Sequence, residues 1–169
     1  HLPVDLVQYI ERHGHGAGGV DGVLGVAPKA RILPYAIYAP DDPDHMQVGT
    51  RMVAGIRWAV DHGAQVICIA SGGGGGTGLE AAVKYALGKG VPIVAAVANL
   101  PAVNIGFPAA LPGIISVSSV DEQGEFAATL SVSGDGIWFA APGTNVIVPK
   151  AGSGYTTVNG NSAAAALTA

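Results

Sequence analysis

The chain has 169 residues, of which 49% are hydrophobic and only 12% are charged, a composition that excludes a disordered chain and fits one buried core. With 8 basic against 12 acidic residues its net charge is −4, and the absence of a basic stripe argues against a nucleic-acid partner. The apolar stretch from Val91 to Ala98 is about half as long as a bilayer-spanning helix, so no membrane partner is expected.

The first predicted elements are a buried strand, a helix and a second buried strand. An apolar run from Arg31 to Ile37, bounded by prolines, predicts the first strand. From Gln47 to His62 the apolar residues recur at spacings of three and four, which is typical of an amphipathic helix, and Gly63 ends that pattern. The second buried strand is predicted from Gln65 to Ala70.

A second helix and two further strands follow. Thr77 and Glu80 form a predicted capping box at the start of a helix from Leu79 to Lys89. Apolar runs predict strands from Pro92 to Ala98 and from Ile114 to Val120. Strand and helix therefore alternate, as they do in a parallel sheet covered by helices.

The last part of the chain carries weaker patterns. Trp138 to Ala141 and Asn145 to Val148 are predicted to be short strands, and the four alanines after Ser162 favour a final helix. No internal repeat and no linker-like change in composition is present. Residues 1–169 are therefore predicted to form a single domain of the α/β class.

Three polar residues stand out because each lies beside glycine or small residues at the edge of an apolar element. They are His15, Asn99 and Ser162. Taken singly, a histidine is most often a surface or packed residue, an asparagine after a strand forms a turn, and a serine before a helix caps it. Their order and context together are more informative than any one of them.

Nine sequence blocks share the order and spacing of one protein family. The blocks are Gly14 to Gly16, Gly22 to Pro28, Ile56 to Val60, Val66 to Gly73, Ala95 to Asn99, Phe107 to Ala109, Ile114 to Val117, Ala140 to Gly143 and Gly160 to Ala163. They resemble the subtilisin-like serine proteases, or subtilases, of peptidase family S8. The resemblance covers nearly the whole chain and implies a three-layer fold, a mainly parallel sheet flanked by helices.

By this resemblance His15 and Ser162 are the catalytic pair and Asn99 is the oxyanion donor. A serine hydroxyl is a weak nucleophile until a base takes its proton, and a histidine with a pKa near the working pH can take that proton and return it to the leaving amine. Loss of an amide donor of the Asn99 kind from a subtilisin costs about 3 kcal/mol of transition-state stabilisation.

Two groups of residues are implied to bind an extended peptide or protein substrate. The edge that pairs with the substrate backbone consists of Ser71, Gly72 and Gly73. The pocket for the residue before the cleaved bond is lined by Ala96, Val97, Ala98 and Gly106. Small side chains leave room there, so an apolar residue of moderate to large size is expected, with Val97 narrowing the pocket.

The third triad residue is the main departure from the family, in which an aspartate ends the first strand. His1 to Leu6 resembles the stretch after that aspartate, so the first strand is expected to lie before residue 1, and a complementing segment would carry the aspartate. Asp5 and Asp21 are available carboxylates, although Asp5 matches a surface turn better. Without an orienting carboxylate the rate is expected to fall by about four orders of magnitude.

Smaller departures accompany it. Asn161 stands where the family usually has threonine, Ala98 replaces a glycine and Ala166 replaces a proline, while the helix after His15 is shortened to residues 17–21. The chain ends within the nucleophile helix, so the C-terminal helices are expected to be missing. These features predict a subtilase truncated at both ends, or an engineered or degenerate one, with weak or no activity.

Two alternatives stay open. One is a non-catalytic subtilase fold that serves as a binding or scaffold module, favoured by the missing aspartate. The other is a nucleotide-binding α/β domain, because Gly72 to Gly76 lies between a predicted strand and helix. That reading lacks both the acidic residue that would hold a ribose and the lysine of a P-loop.

No cofactor and no metal site is predicted, since the histidines and Cys68 lack the spacing of a ligand set. Cys68 is a single cysteine among apolar residues, which predicts a buried thiol and carries no information on compartment. The start at His1 does not match a secretory signal, which leaves a mature, excised or cytoplasmic piece. The family resemblance favours a secreted or extracellular protein.

Overall fold

The computed structural model describes residues 26–27, 29–38, 45–72, 75–149 and 154–169. The helices are α1 (Val48–Asp61), α2 (Leu79–Gly88) and α3 (Asn161–Thr168). The strands are β1 (Ile67–Ile69), β2 (Ile93–Ala96), β3 (Ile115–Val120), β4 (Phe139–Pro142), β5 (Val146–Pro149) and β6 (Tyr155–Val158). Within these ranges no helix combines the length and apolar character needed to cross a membrane.

Four parallel strands form the central sheet in the order β1-β2-β3-β4. Ile67 lies opposite Ile93, and Val94 opposite Ile115, so neighbouring strands in the chain are neighbours in the sheet. Strands β5 and β6 form a separate antiparallel pair that leads into α3. The predicted α/β class with a mainly parallel sheet is confirmed.

Helices cover both faces of this sheet because side chains alternate along each strand. On β2, Ile93 and Ala95 pack in the cluster that contains residues of α1 and α2. Val94 and Ala96 point to the opposite face, where they pack with alanines of α3. The result is the three-layer arrangement that the resemblance implied.

Two predictions about local structure are wrong. Residues 31–38 form no strand and are exposed or half-buried. A strand needs a hydrogen-bonded neighbour, and within the described ranges the edge strand β1 pairs only with β2. The capping box is also absent, because α2 begins after Gly78, whose left-handed φ of 86° sets the turn, while Glu80 pairs with Lys84 at 2.6 Å.

One element was not predicted. Strand β6 contains two threonines in an exposed or half-buried setting, so it lacks the apolar run that marked the other strands. Its backbone pairing with β5 decides its conformation, since Val146 lies opposite Val158 across the pair. The remaining predicted helices and strands are present, with ends that differ by at most two residues.

Candidate active site

A cleft of about 460 Å³ lies where β2 ends and α3 begins. It is lined by Gly72, Ala96, Val97, Ala98, Asn99, Ala102, Val103, Asn104, Gly106 and Ser162. The carboxyl ends of parallel strands are the usual position of ligand sites in open α/β sheets. The fold thus brings Asn99, from the middle of the chain, to the same cleft as Ser162, near its end.

The orientation of the Asn99 side chain follows from one hydrogen bond. The backbone N–H of Asn161 donates to Asn99 Oδ1 at 3.0 Å. The two ends of an asparagine amide are told apart by their partners, and an N–H donor identifies the oxygen. The Nδ2 group of Asn99 is therefore the end that remains to face other acceptors.

Asn99 and Ser162 border a common space beside Gly160. Asn99 Nδ2 and the backbone nitrogen of Ser162 each lie 3.7 Å from the position that a Cβ on Gly160 would occupy. Ser162 is the second residue of α3, and an N–H in the first turn of a helix has no acceptor within that helix. Two nitrogen atoms that can donate hydrogen bonds thus lie around one position beside Gly160.

Contacts with the end of β4 set the start of α3, and with it Ser162. The Gly160 N–H donates to the Gly143 carbonyl at 2.8 Å, and the Ala163 N–H donates to the Gly160 carbonyl at 3.1 Å. A Cβ at Gly143 would clash with Ser119 Oγ, so this close approach requires glycine. Ser162 itself is half-buried and lines the cleft.

The four predicted pocket residues all line the cleft. Ala96, Val97 and Ala98 come from β2 and its extension, while Gly106 comes from the loop that follows. The Ala98 N–H donates to the Ile105 carbonyl at 2.8 Å, which holds this loop against the end of the strand. Gly106 has φ of 81° and a Cβ on it would lie 3.4 Å from Ala98 Cβ.

Three further lining residues were missed by sequence reasoning. Ala102, Val103 and Asn104 belong to the irregular loop after Asn99. No periodic pattern marks them, because the loop follows neither helical nor strand spacing. Only the fold of this loop over the end of β2 assigns them to the cleft.

The predicted substrate-binding edge follows β1. Gly72 lines the cleft, and Ser71 is half-buried, with its hydroxyl 2.5 Å from the hydroxyl of Tyr38. Gly73 lies outside the described residues, as does His15. The position of His15, the predicted catalytic base, relative to Ser162 is therefore not described by the structure.

The lining of the cleft is uncharged among the residues that the structure describes; its polar side chains are Asn99, Asn104 and Ser162. The clear pKa shifts lie elsewhere, on α2. A hydrogen bond and the charge of Lys84 lower the pKa of Glu80, and a hydrogen bond to the Asp61 carboxylate raises the pKa of Tyr85. The described walls of the cleft thus suit an uncharged side chain.

Several proteases are similar in sequence to this chain. Thermitase from Thermoactinomyces vulgaris is 35% identical over 144 residues, which are 85% of this chain and 50% of thermitase. A thermostable alkaline protease from Halalkalibacterium halodurans is 32% identical over 166 residues, covering 92% of this chain and 45% of that protease. The chain thus spans about half the length of these curated relatives.

Solved structures of proteases and the model of a protease family are also similar to this chain. The patellamide maturation protease PatA superposes with a TM-score of 0.79 and 29% identity, over 95% of this chain and 60% of PatA. Sphericase superposes with a TM-score of 0.77 and 26% identity, over 96% of this chain and 59% of its own. The model of the subtilase family matches residues 8–169. The chain belongs to the subtilase family of serine proteases.

Proposed function

We propose that the protein is a serine endopeptidase that hydrolyses peptide bonds through an acyl-enzyme. Ser162 is the nucleophile, His15 the general base and Asn99 the side-chain oxyanion donor. The observation that carries the proposal is that Asn99 and Ser162 line the same cleft, with Asn99 Nδ2 and the Ser162 backbone nitrogen on either side of one position beside Gly160. Family membership supports the role of His15, and residues 1–169 are taken as part of one catalytic domain.

The reaction takes place in two halves. His15 accepts the hydroxyl proton as Ser162 Oγ attacks the carbonyl carbon, and the carbonyl oxygen becomes an oxyanion held by the Asn99 and Ser162 N–H donors. The imidazolium then protonates the leaving amine as the C–N bond breaks. Water, deprotonated by the same imidazole, attacks the acyl carbon. The ester C–O bond then breaks, the imidazolium returns the proton to Ser162 Oγ, and the acid product leaves.

The substrate is proposed to lie extended along Ser71, Gly72 and Gly73, with the side chain before the cleaved bond in the cleft. Apolar groups of Ala96, Val97, Ala102 and Val103 and the absence of charge on the described walls support a preference for apolar residues. Profiling with a peptide library checks this. Charged residues dominating that position would contradict the pocket assignment.

Labelling with a fluorophosphonate tests the proposed nucleophile in the complete gene product. The reagent should phosphonylate Ser162, identified by peptide mass spectrometry, because it needs an activated hydroxyl. Ser162→Ala should abolish labelling, and Asn99→Ala should slow it about 10²- to 10³-fold, as loss of this donor does in a subtilisin. Ser116→Ala, which removes a fully buried hydroxyl near the start of β3 that donates to the Gly136 carbonyl, is the matched control.

A folded protein that takes no label at Ser162 would contradict the protease assignment. That result would favour the alternative of a non-catalytic subtilase fold that binds a partner. Circular dichroism of the same sample separates this outcome from simple unfolding, because an unfolded chain loses its helical signal.

A further inference from the structure

Asn161 is a fully buried polar residue directly before the proposed nucleophile, with 0% of its surface exposed. A buried amide is costly unless its hydrogen-bonding positions find partners. The family resemblance implies a threonine at this position, so Asn161 is a departure of this chain from the family pattern. Its partners therefore indicate what it does.

The side chain of Asn161 has a partner at both ends. Nδ2 donates to the carbonyl oxygens of Val97 and Ala98, at 3.2 and 3.0 Å. Oδ1 accepts from the Ser119 hydroxyl at 2.6 Å. Both N–H bonds of the amide and its oxygen are thus used, which joins the start of α3 to the extension of β2 and to β3.

These bonds act on the two residues that precede Asn99. Holding the Val97 and Ala98 carbonyls fixes the backbone that carries the Asn99 side chain, while the Asn161 N–H holds Asn99 Oδ1 at 3.0 Å. A threonine hydroxyl donates one hydrogen and could not bond both carbonyls at once. The asparagine amide makes a connection that the usual residue cannot make.

We infer that Asn161 is a positioning residue, which holds Asn99 so that its Nδ2 faces the space beside Gly160. Its catalytic consequence rests on the proposed protease function. The residue acts through Asn99 and does not itself touch the substrate, because its side chain is buried and saturated with hydrogen bonds.

A double-mutant cycle tests this inference through the rate of phosphonylation at Ser162. Asn161→Ala should slow the reaction about tenfold, a part of the 10²- to 10³-fold that loss of the donor itself costs. In an Asn99→Ala background the same substitution should change the rate less than about twofold, since the group that it positions is gone. Equal losses in both backgrounds would overturn the inference, because they would indicate a general structural effect.

A milder variant keeps the test valid if Asn161→Ala does not fold. Ser119→Ala removes only the hydrogen bond to Asn161 Oδ1. The matched control is Ser116→Ala, another fully buried serine on β3, whose hydroxyl donates to the Gly136 carbonyl instead. Slower phosphonylation for Ser119→Ala but not for Ser116→Ala is expected. Identical rates for these two variants would count against the inference.

Side-chain amide NMR separates failure of this inference from failure of the proposed function. The Asn99 amide pair is assigned by its disappearance in Asn99→Ala. In the wild type the two side-chain NH2 proton signals of Asn99 should form one well-resolved pair. In Asn161→Ala or Ser119→Ala these signals should change chemical shift or split into more than one pair. If Ser162 takes no label but the Asn99 signals change in these variants, the proposed protease function is wrong and the positioning role of Asn161 is supported. If the Asn99 signals do not change, the positioning role is wrong, whatever the activity.

Discussion

The two faces of the parallel sheet are packed with side chains of different size. Beneath α1 and α2 the core contains large aliphatic residues, among them Met52, Ile56 and Ile93. Beneath α3 the helix contributes Ala164 and Ala165, both fully buried. The first face contains more buried aliphatic residues, and several of them are large, so it is expected to supply most of the hydrophobic stabilisation.

The alanine face has a different consequence. Short side chains let the backbone of α3 lie close to the sheet, and the start of this helix carries Ser162 and the Asn161 bonds to the end of β2. Changes on the aliphatic face should therefore alter the free energy of unfolding, while changes on the alanine face should alter the chemistry.

Ile93→Ala should have the largest effect on stability. Ile93 is 0% exposed, and removing its buried methyl and methylene groups should leave a cavity and lower the free energy of unfolding by about 2 to 5 kcal/mol. Urea denaturation measures this. Ile147→Ala, at a residue that is 57% exposed, should stay within about 0.5 kcal/mol. A large loss of phosphonylation rate per folded molecule in Ile93→Ala would contradict the expectation that the aliphatic face affects stability and not the chemistry.

Ala164→Leu should destabilise less but affect the rate more. The added atoms have no space at a 0% exposed position, so overpacking is expected to lower the free energy of unfolding by about 1 to 3 kcal/mol and to push α3 from the sheet. Phosphonylation at Ser162 should then be slower than in Ile93→Ala. Ala81→Leu on the exposed side of α2 is the control and should change neither quantity. A normal rate in Ala164→Leu would argue against the role given to the alanine face.

Gly160→Ala should lower the rate of phosphonylation while leaving the free energy of unfolding almost unchanged. Its methyl group would lie 3.7 Å from both proposed oxyanion donors, so phosphonylation should slow about tenfold, or about 1.4 kcal/mol. The φ of Gly160 is 166°, which alanine can adopt, and the free energy of unfolding should change by less than about 1 kcal/mol. Gly88→Ala on α2, where a Cβ meets no atom within 4 Å, should leave the rate unchanged. Equal rates for the two glycine variants would contradict the position assigned to the oxyanion.

Lys84→Gln should have the smallest effect. Lys84 and Glu80 form an exposed pair at 2.6 Å, with 73% and 63% of their side chains accessible, so solvent screens the interaction. Because Lys84 lowers the pKa of Glu80, any stabilisation exists above the unfolded pKa and disappears as the pH falls through the folded value. Melting temperatures of the wild type and variant should agree within error at neutral pH and coincide in acid. A clear difference in acid would show that another interaction had been changed.

Local patterns predicted most helices and strands because their cause is local. Helix α1 repeats apolar residues on one face, and Met52 and Ile56 on that face are buried. The segment from Arg31 to Ile37 has a strand-like sequence, but a strand also needs a neighbour, which its own sequence does not supply.

The nucleotide-binding alternative drawn from Gly72 to Gly76 gains no support from the family match.

The sequence by itself determined the family and the order of the elements, since both depend on motifs read along the chain. It also supplied Asn99 and Ser162 as the candidates for the proposed chemistry. Only the tertiary structure decided which way the Asn99 amide faces and what Asn161 bonds. Those contacts join residues more than 60 positions apart, and their directions depend on how α3 packs against the sheet. No local pattern in the chain records such packing.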